Sequence, residues 1–221
     1  MKQGIMILLL IISMIGCSGQ PGDEESKSES TPQDFAIIRI RDLVIVPENP
    51  RTVTPLQVDM NLGGGEPERM EYQWLRNENP IPGAIEPTLG KEHLRKGDFI
   101  AVTVRAKLPG GGGDEQTSDA VLIGNSQPKA LFAGIEPVRP TSSEKLKARG
   151  VGDDPDNDDV TFTYQWIVNE EPLVGQNEQF LANNHFRRGD QVEVLVTPYD
   201  GEEFGMPLRS APVFVSNSPP E

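Results

Sequence analysis

Cysteine is almost absent from this chain: Cys17 is the only one in 221 residues. No intramolecular disulfide and no cysteine-built zinc site can form. Histidine is nearly as scarce, with His93 and His185 alone. A nucleophilic triad needs histidine beside a hydroxyl or thiol and an acid, and a catalytic zinc needs several ligands in one place. No Gly-x-Ser-x-Gly elbow, His-Glu-x-x-His or P-loop accompanies the histidines, so the chain reads as non-enzymatic, without a cofactor. Positive charge is also short: 20 basic against 34 acidic residues leave a net charge of −14. Such a surface repels nucleic acid and anionic membranes. Long apolar runs are missing too. The longest, residues 5–15, makes roughly 16 Å of helix at about 1.5 Å per residue, about half of a hydrocarbon core. With 22 Gly and 20 Pro, long helices have little room.

What is present begins with a leader. Lys2 precedes the apolar run, and the pattern is that of an export signal over residues 1–16. Met14-Ile15-Gly16-Cys17 resembles the lipobox of bacterial lipoproteins, which implies cleavage before Cys17, a lipid anchor on that residue and attachment to a membrane. Ser18 in place of aspartate implies, by the same resemblance, the outer membrane of a Gram-negative cell. Residues 17–34, reading CSGQPGDEESKSESTPQD, are polar and rich in Ser, Pro and acid, which predicts a disordered tether. Its seventeen residues after the cysteine span on the order of 23 Å.

The remainder is one unit written twice. YQWLRNENPIPG at 72–83 lies over YQWIVNEEPLVG at 164–175, and NSQP at 125–128 over NSPP at 217–220, with 21 identities in 57 positions at an offset of 92. Upstream the offset is 90: Pro47 and Pro50 match Pro137 and Pro140. The second copy has therefore gained two residues within GDDPDNDD, 152–159. Two domains follow, 35–126 and 127–221. They abut with almost no linker, which predicts a semi-rigid rod.

Apolar residues alternate with period two at Ile100, Val102, Val104 and at Val192, Val194, Val196. Short β-branched runs between Gly and Pro predict an all-β fold: two tandem β-sandwiches behind the signal peptide and tether, with only a helical turn around 92–96 and 184–188. The order of features, a Tyr-x-Trp strand, an Asn-Glu turn, a Gly-Asp turn before a valine-alternating strand and then Asn-Ser-Pro-Pro, resembles bacterial immunoglobulin-like, cadherin-like and polycystic-kidney-disease-type surface repeats. That resemblance speaks to architecture and hardly to activity.

Several residues invite functional readings. Trp74 and Trp166, with Tyr72 and Tyr164 on the same face, match the buried tryptophan strand of an immunoglobulin-like core; a sugar-stacking platform, the other reading, needs exposed rings. Asp153, Asp154, Asp156, Asp158 and Asp159 in the second copy's added loop offer hard oxygens for calcium, and the loop is similar to the Asp-Pro-Asp-Gly-Asp turn of cadherin-like repeats, with Asn157 where that pattern has glycine. The alternative is a solvated acidic turn. The first copy's Asn61-Leu62-Gly63-Gly64-Gly65-Glu66 lacks these carboxylates, so any calcium site is single. Arg188-Gly189-Asp190 spells an adhesion tripeptide, but its counterpart is Lys96-Gly97-Asp98. Gly97 and Gly189 then permit φ > 0, and Asp98 and Asp190 bond the turn's amides. The whole reads as a lipid-anchored envelope protein that binds another envelope or surface protein. The alternative is a carbohydrate-binding or adhesion module assisted by calcium. The oligomeric state is left open.

Overall fold

The computed structural model describes residues 37–217; the expected signal peptide, Cys17 and the tether lie outside them. The first repeat runs through β1 (Ile38–Val46), β2 (Leu56–Gly64), β3 (Arg69–Arg76), β4 (Asn79–Pro80), β5 (Thr88–Leu89), β6 (Phe99–Lys107), β7 (Gly113–Thr117) and β8 (Val121–Leu122). The second repeats the series as β9 (Lys129–Glu136), β10 (Leu146–Asp153), β11 (Thr161–Val168), β12 (Glu171–Pro172), β13 (Phe180–Leu181), β14 (Gln191–Tyr199), β15 (Leu208–Arg209) and β16 (Val213–Phe214).

Each repeat is a two-sheet sandwich, and the fold is all-β and immunoglobulin-like. One sheet has order β1-β2-β5, the other β4-β3-β6-β7 with β8 also on β6; the second copy matches with β9-β10-β13 and β12-β11-β14-β15 plus β16. All of these pairings are antiparallel, so one face of each sheet can be apolar and the other wet. The alternation read along β6 is real: Ile100, Val102 and Val104 are fully buried while Phe99 and Arg105 face out. Burying each such aliphatic side chain stabilises the fold by roughly 1.5–3 kcal/mol.

At the centre of each sandwich stands the tryptophan. Trp74 and Trp166 are 0 % exposed, and each indole Nε1 donates a 2.9 Å hydrogen bond, to the carbonyls of Glu86 and Glu178. Leu56 and Ile38 of the facing sheet share one buried cluster with Trp74, as Leu146 and Ile135 do with Trp166. Tyr72 and Tyr164 pack half-buried against these clusters, and burial raises both phenol pKa values.

The helical turns fall at Lys91–His93 and Asn183–His185 as single 3₁₀ turns, slightly earlier than the expected 92–96 and 184–188. The two-residue hairpins after β3 and β11 hold Asn77 and Glu78, and Asn169 and Glu170, at positive φ, the requirement of a type I′ turn. Asn77 Oδ1 accepts from Phe99 N at 2.9 Å and its Nδ2 donates to Asp98 Oδ1 at 2.8 Å; Asn169 does the same with Gln191 N and Asp190 Oδ1. The Asn-Glu and Gly-Asp turns are thus one bonded unit, which is why both recur. Asp190 also accepts from the turn amide of Arg187 at 2.7 Å, whereas Asp98 turns its second oxygen towards Arg76, 3.6 Å away. Gly97 and Gly189 sit at φ 86° and 91°, a region that side-chain-bearing residues avoid.

Candidate functional site: an acidic seam between the repeats

The added loop of the second copy packs against the first repeat. Asp154 folds back on its own loop, its Oδ1 accepting from the amides of Asp156 at 2.7 Å and Asp158 at 3.3 Å. Asn157 takes φ 65°, so asparagine fills the left-handed position that glycine holds in the similar turn. Asp154 is 4 % exposed, and its Oδ2 has no protein partner. One oxygen from each of Asp154, Asp156 and Asp158 lies within 4.8 Å of the others, a spacing that a Ca²⁺ at about 2.4 Å from each ligand could bridge. Asp153 ends β10 and Asp159 stands near the far end of the loop; both are exposed and outside this triad.

The first repeat meets these carboxylates with hydroxyl, amide and cation. Asp156 accepts from Ser126 N at 2.6 Å and from Thr52 Oγ1, which also lies 2.8 Å from Ser126 Oγ. Lys96 Nζ bridges Asp158 at 2.7 Å and Glu202 at 2.6 Å. Arg51 grips Glu203 through its two terminal guanidinium nitrogens at 2.8 and 3.0 Å and also donates to the Asn125 carbonyl at 2.7 Å. Asn125 Nδ2 donates to Asp200 Oδ2 at 2.8 Å, while Asn125 Oδ1, buried, has no protein partner.

The electrostatics follow the geometry. Hydrogen bonds to Asp158 and then Glu202 raise the Lys96 pKa. Arg51 and Glu203 stabilise each other's charge, raising one pKa and lowering the other through their hydrogen bonds. Burial would raise Asp200, but the bonds from Asn125 and from the amides of Glu203 and Glu202 outweigh it, and its pKa is lowered. Asp154 goes the other way: burial outweighs its two amide bonds and, with Asp156 and Asp158 nearby, holds its carboxyl above the usual value. Among the described residues the ion pairs of the seam use Arg51 and Lys96 on Glu203, Asp158 and Glu202, while Asp154, Asp156 and Asp200 are held by hydrogen bonds alone.

Sequence reading singled out the acidic loop but not its partners Arg51, Thr52, Lys96, Asn125 and Ser126. The one signal that could have exposed them is the near-absence of linker between copies, which forces the ends of the two sandwiches together. The histidines stay apart, one on each 3₁₀ turn, and His93 Nε2 lies 3.7 Å from Glu92. Phe204, in the loop after β14, leans on Tyr199 with ring centroids 4.5 Å apart.

No protein-family model matches the chain, and no curated protein matches it. Among solved structures it is similar to the N-terminal eight immunoglobulin domains of Down Syndrome Cell Adhesion Molecule, with 14 % identity and a TM-score of 0.45 over 83 % of this chain and 25 % of that one. It is also similar to a Ca²⁺-stabilized adhesin of an Antarctic bacterium, with 10 % identity and a TM-score of 0.35 over 82 % and 49 %. A third likeness is to fibronectin(III)-like modules of Clostridium thermocellum CbhA, with 14 % identity and a TM-score of 0.29 over 82 % and 95 %. The chain therefore spans a quarter of the length of the first and about half of the second.

Proposed function

We propose that this chain is a non-catalytic envelope lipoprotein, anchored through Cys17, whose two clamped sandwiches form a short rod presenting loops or an edge strand to another envelope or surface protein. The observation that carries the reading is the seam: Arg51, Thr52 and Lys96 are all committed to carboxylates of the second repeat. A platform held in that way suits presentation of a surface. The proposed anchorage is at the outer membrane of a Gram-negative cell. Its test is direct: labelled palmitate should enter the chain and be lost in Cys17→Ala. Unchanged labelling in the variant would refute the anchor.

A second reading, an adhesion module assisted by calcium, is favoured by one observation, the buried and unpartnered Asp154 Oδ2 within a triad of carboxylates. In this reading the cation sits at Asp154, Asp156 and Asp158 and supplements Lys96 in neutralising the seam. Sugar stacking draws no support from Trp74 or Trp166, whose rings are enclosed.

A further inference from the structure

The internal repeat makes the seam comparable with a second place in the molecule, the far end of repeat two. The backbone that presents Lys96 recurs there almost bond for bond. Gly97 N donates to the Ile123 carbonyl at 2.9 Å and Ile123 N to that of Asp98 at 2.9 Å; Gly189 N donates to the Val215 carbonyl and Val215 N to that of Asp190, both at 2.9 Å. Gly124 N reaches the Pro50 carbonyl and Ser216 N that of Pro140, each at 2.8 Å. Arg188 therefore stands where Lys96 stands, and Asn217 where Asn125 stands.

Of the two seam cations, Lys96 has its counterpart in Arg188, while Arg51 is replaced by Thr141 and a new arginine, Arg139, stands where Asn49 stands. Arg187 and Arg188 are exposed, as is Arg139, the first residue of the turn that corresponds to 49–52, and among the described residues none of the three forms an ion pair. The acids close by are occupied: Glu144 accepts from Thr141 N and Oγ1, and Asp190 from Arg187 N and Asn169. Repeat two is acidic at the end it shares with repeat one and basic at the other.

We propose that the basic end of repeat two, around Arg139, Arg187, Arg188 and Asn217, is a docking surface for the acidic end of another sandwich domain, in the manner in which Lys96 docks on Asp158 and Glu202. Charge complementarity and equivalence to an observed interface carry the assignment. A second copy of this chain does not supply the required end. Where repeat two has Asp200, Glu202 and Glu203, repeat one has Leu108, Gly110 and Gly111, and the acidic end of repeat two is already used in the seam. The partner is thus a domain with carboxylates on the loops before its third strand and after its sixth, as in 154–160 and 200–203. The inference rests on the chain being a binding module and deepens that reading.

The test extends the full chain, on a Cys17→Ser background, by replacing residues 219–221 with a further copy of 127–221. Spin labels at the exposed equivalent positions Asp119 and Ala211, and at the added copy's equivalent, report both seams in one molecule. A narrow distance is expected across each; Arg188→Glu should abolish the narrow second distance and leave the first, and Lys96→Glu should do the reverse. A broad second distance with Arg188 intact, or one indifferent to Arg188→Glu, overturns the proposal. A titration of the unextended ¹⁵N-labelled chain with the cyclised peptide of residues 152–159 does not depend on folding of the added repeat. Shifts are expected at Arg187, Arg188 and Asn217, and their absence at millimolar peptide overturns the assignment. So would chain bound to phosphatidylglycerol vesicles and released by Arg188→Glu, which would give the arginines to a lipid surface. None of these failures touches the anchored-rod reading, which turns on Cys17.

Discussion

Replacing Asp154 by asparagine separates two demands on the seam, folding without a cation and binding one. The substitution keeps the acceptor: an asparagine Oδ1 can take the same amide bonds from Asp156 and Asp158 that the carboxylate takes at 2.7 and 3.3 Å. It replaces the unpartnered Oδ2 by a donor within a group whose oxygens lie within 4.8 Å of one another. Leaving a buried polar group unpaired costs about 1–3 kcal/mol, so Asp154→Asn in chelator should stabilise the chain by about 1–2 kcal/mol. For a cooperative unit of this size that is a rise in Tm of roughly 2–8 °C. The gain depends on pH in a defined sense. Because burial raises the folded-state pKa of Asp154, its charged form destabilises the fold above that pKa. The penalty fades as pH falls through the raised value towards the ordinary carboxylate range, so the variant's advantage should be full at neutral pH and shrink in acid. Asp200 and Glu203 have lowered pKa values and contribute stability that is lost as pH falls, but they do so equally in both proteins. With calcium the order should reverse. A ligand at a hundredfold excess over its Kd stabilises by about 2.7 kcal/mol, which the wild type should gain and the variant should largely lose. Differential scanning calorimetry in chelator and in millimolar calcium, at neutral and acid pH, reads all of this. A lower Tm for Asp154→Asn in chelator would refute the buried-charge argument, and an equal calcium response in both proteins would remove the metal from the triad.

Two further outcomes test the turns and the core. Gly189→Val places a β-branched residue at φ 91° with no atom within 4 Å of the new Cβ, so its cost is backbone strain alone, on the order of 1–2 kcal/mol; Arg188→Lys should leave stability unchanged by urea denaturation, and an equal loss in both would deny the turn its structural role. The fluorescence of Trp74 and Trp166, both 0 % exposed, should resist iodide and ignore added glycans. Strong quenching in the folded chain would place a ring at the surface and revive the sugar reading.

Much of the architecture was legible because it is local and repeated. Alternation at Ile100, Val102 and Val104 reports a half-buried strand, since period two sends successive side chains to opposite faces. The Lys96-Gly97-Asp98 and Arg188-Gly189-Asp190 pair reports a turn, since a motif spelled twice with different cations is kept for its backbone. The role of the cation was not legible. Lys96 and Arg188 leave the same turn in the same direction, yet Lys96 is held between Asp158 and Glu202 while Arg188 stands exposed. Nor could composition choose among the aspartates of 153–159, because which of them converge depends on Asp154 folding under its own loop and on where β10 ends.

The amino-acid order by itself therefore determined two copies, two β-sandwiches, a buried tryptophan strand and a lone cysteine, because each follows from periodicity, internal comparison or a count. Only the tertiary structure decided that the two extra residues of the second copy serve the junction. Partners such as Thr52 and Asp156, or Arg51 and Glu203, are more than a hundred residues apart in the chain, and nothing local links them. What joins them is the packing of the second repeat's acidic loops against the first repeat, which brings a cation-bearing turn and an acidic loop within hydrogen-bond range.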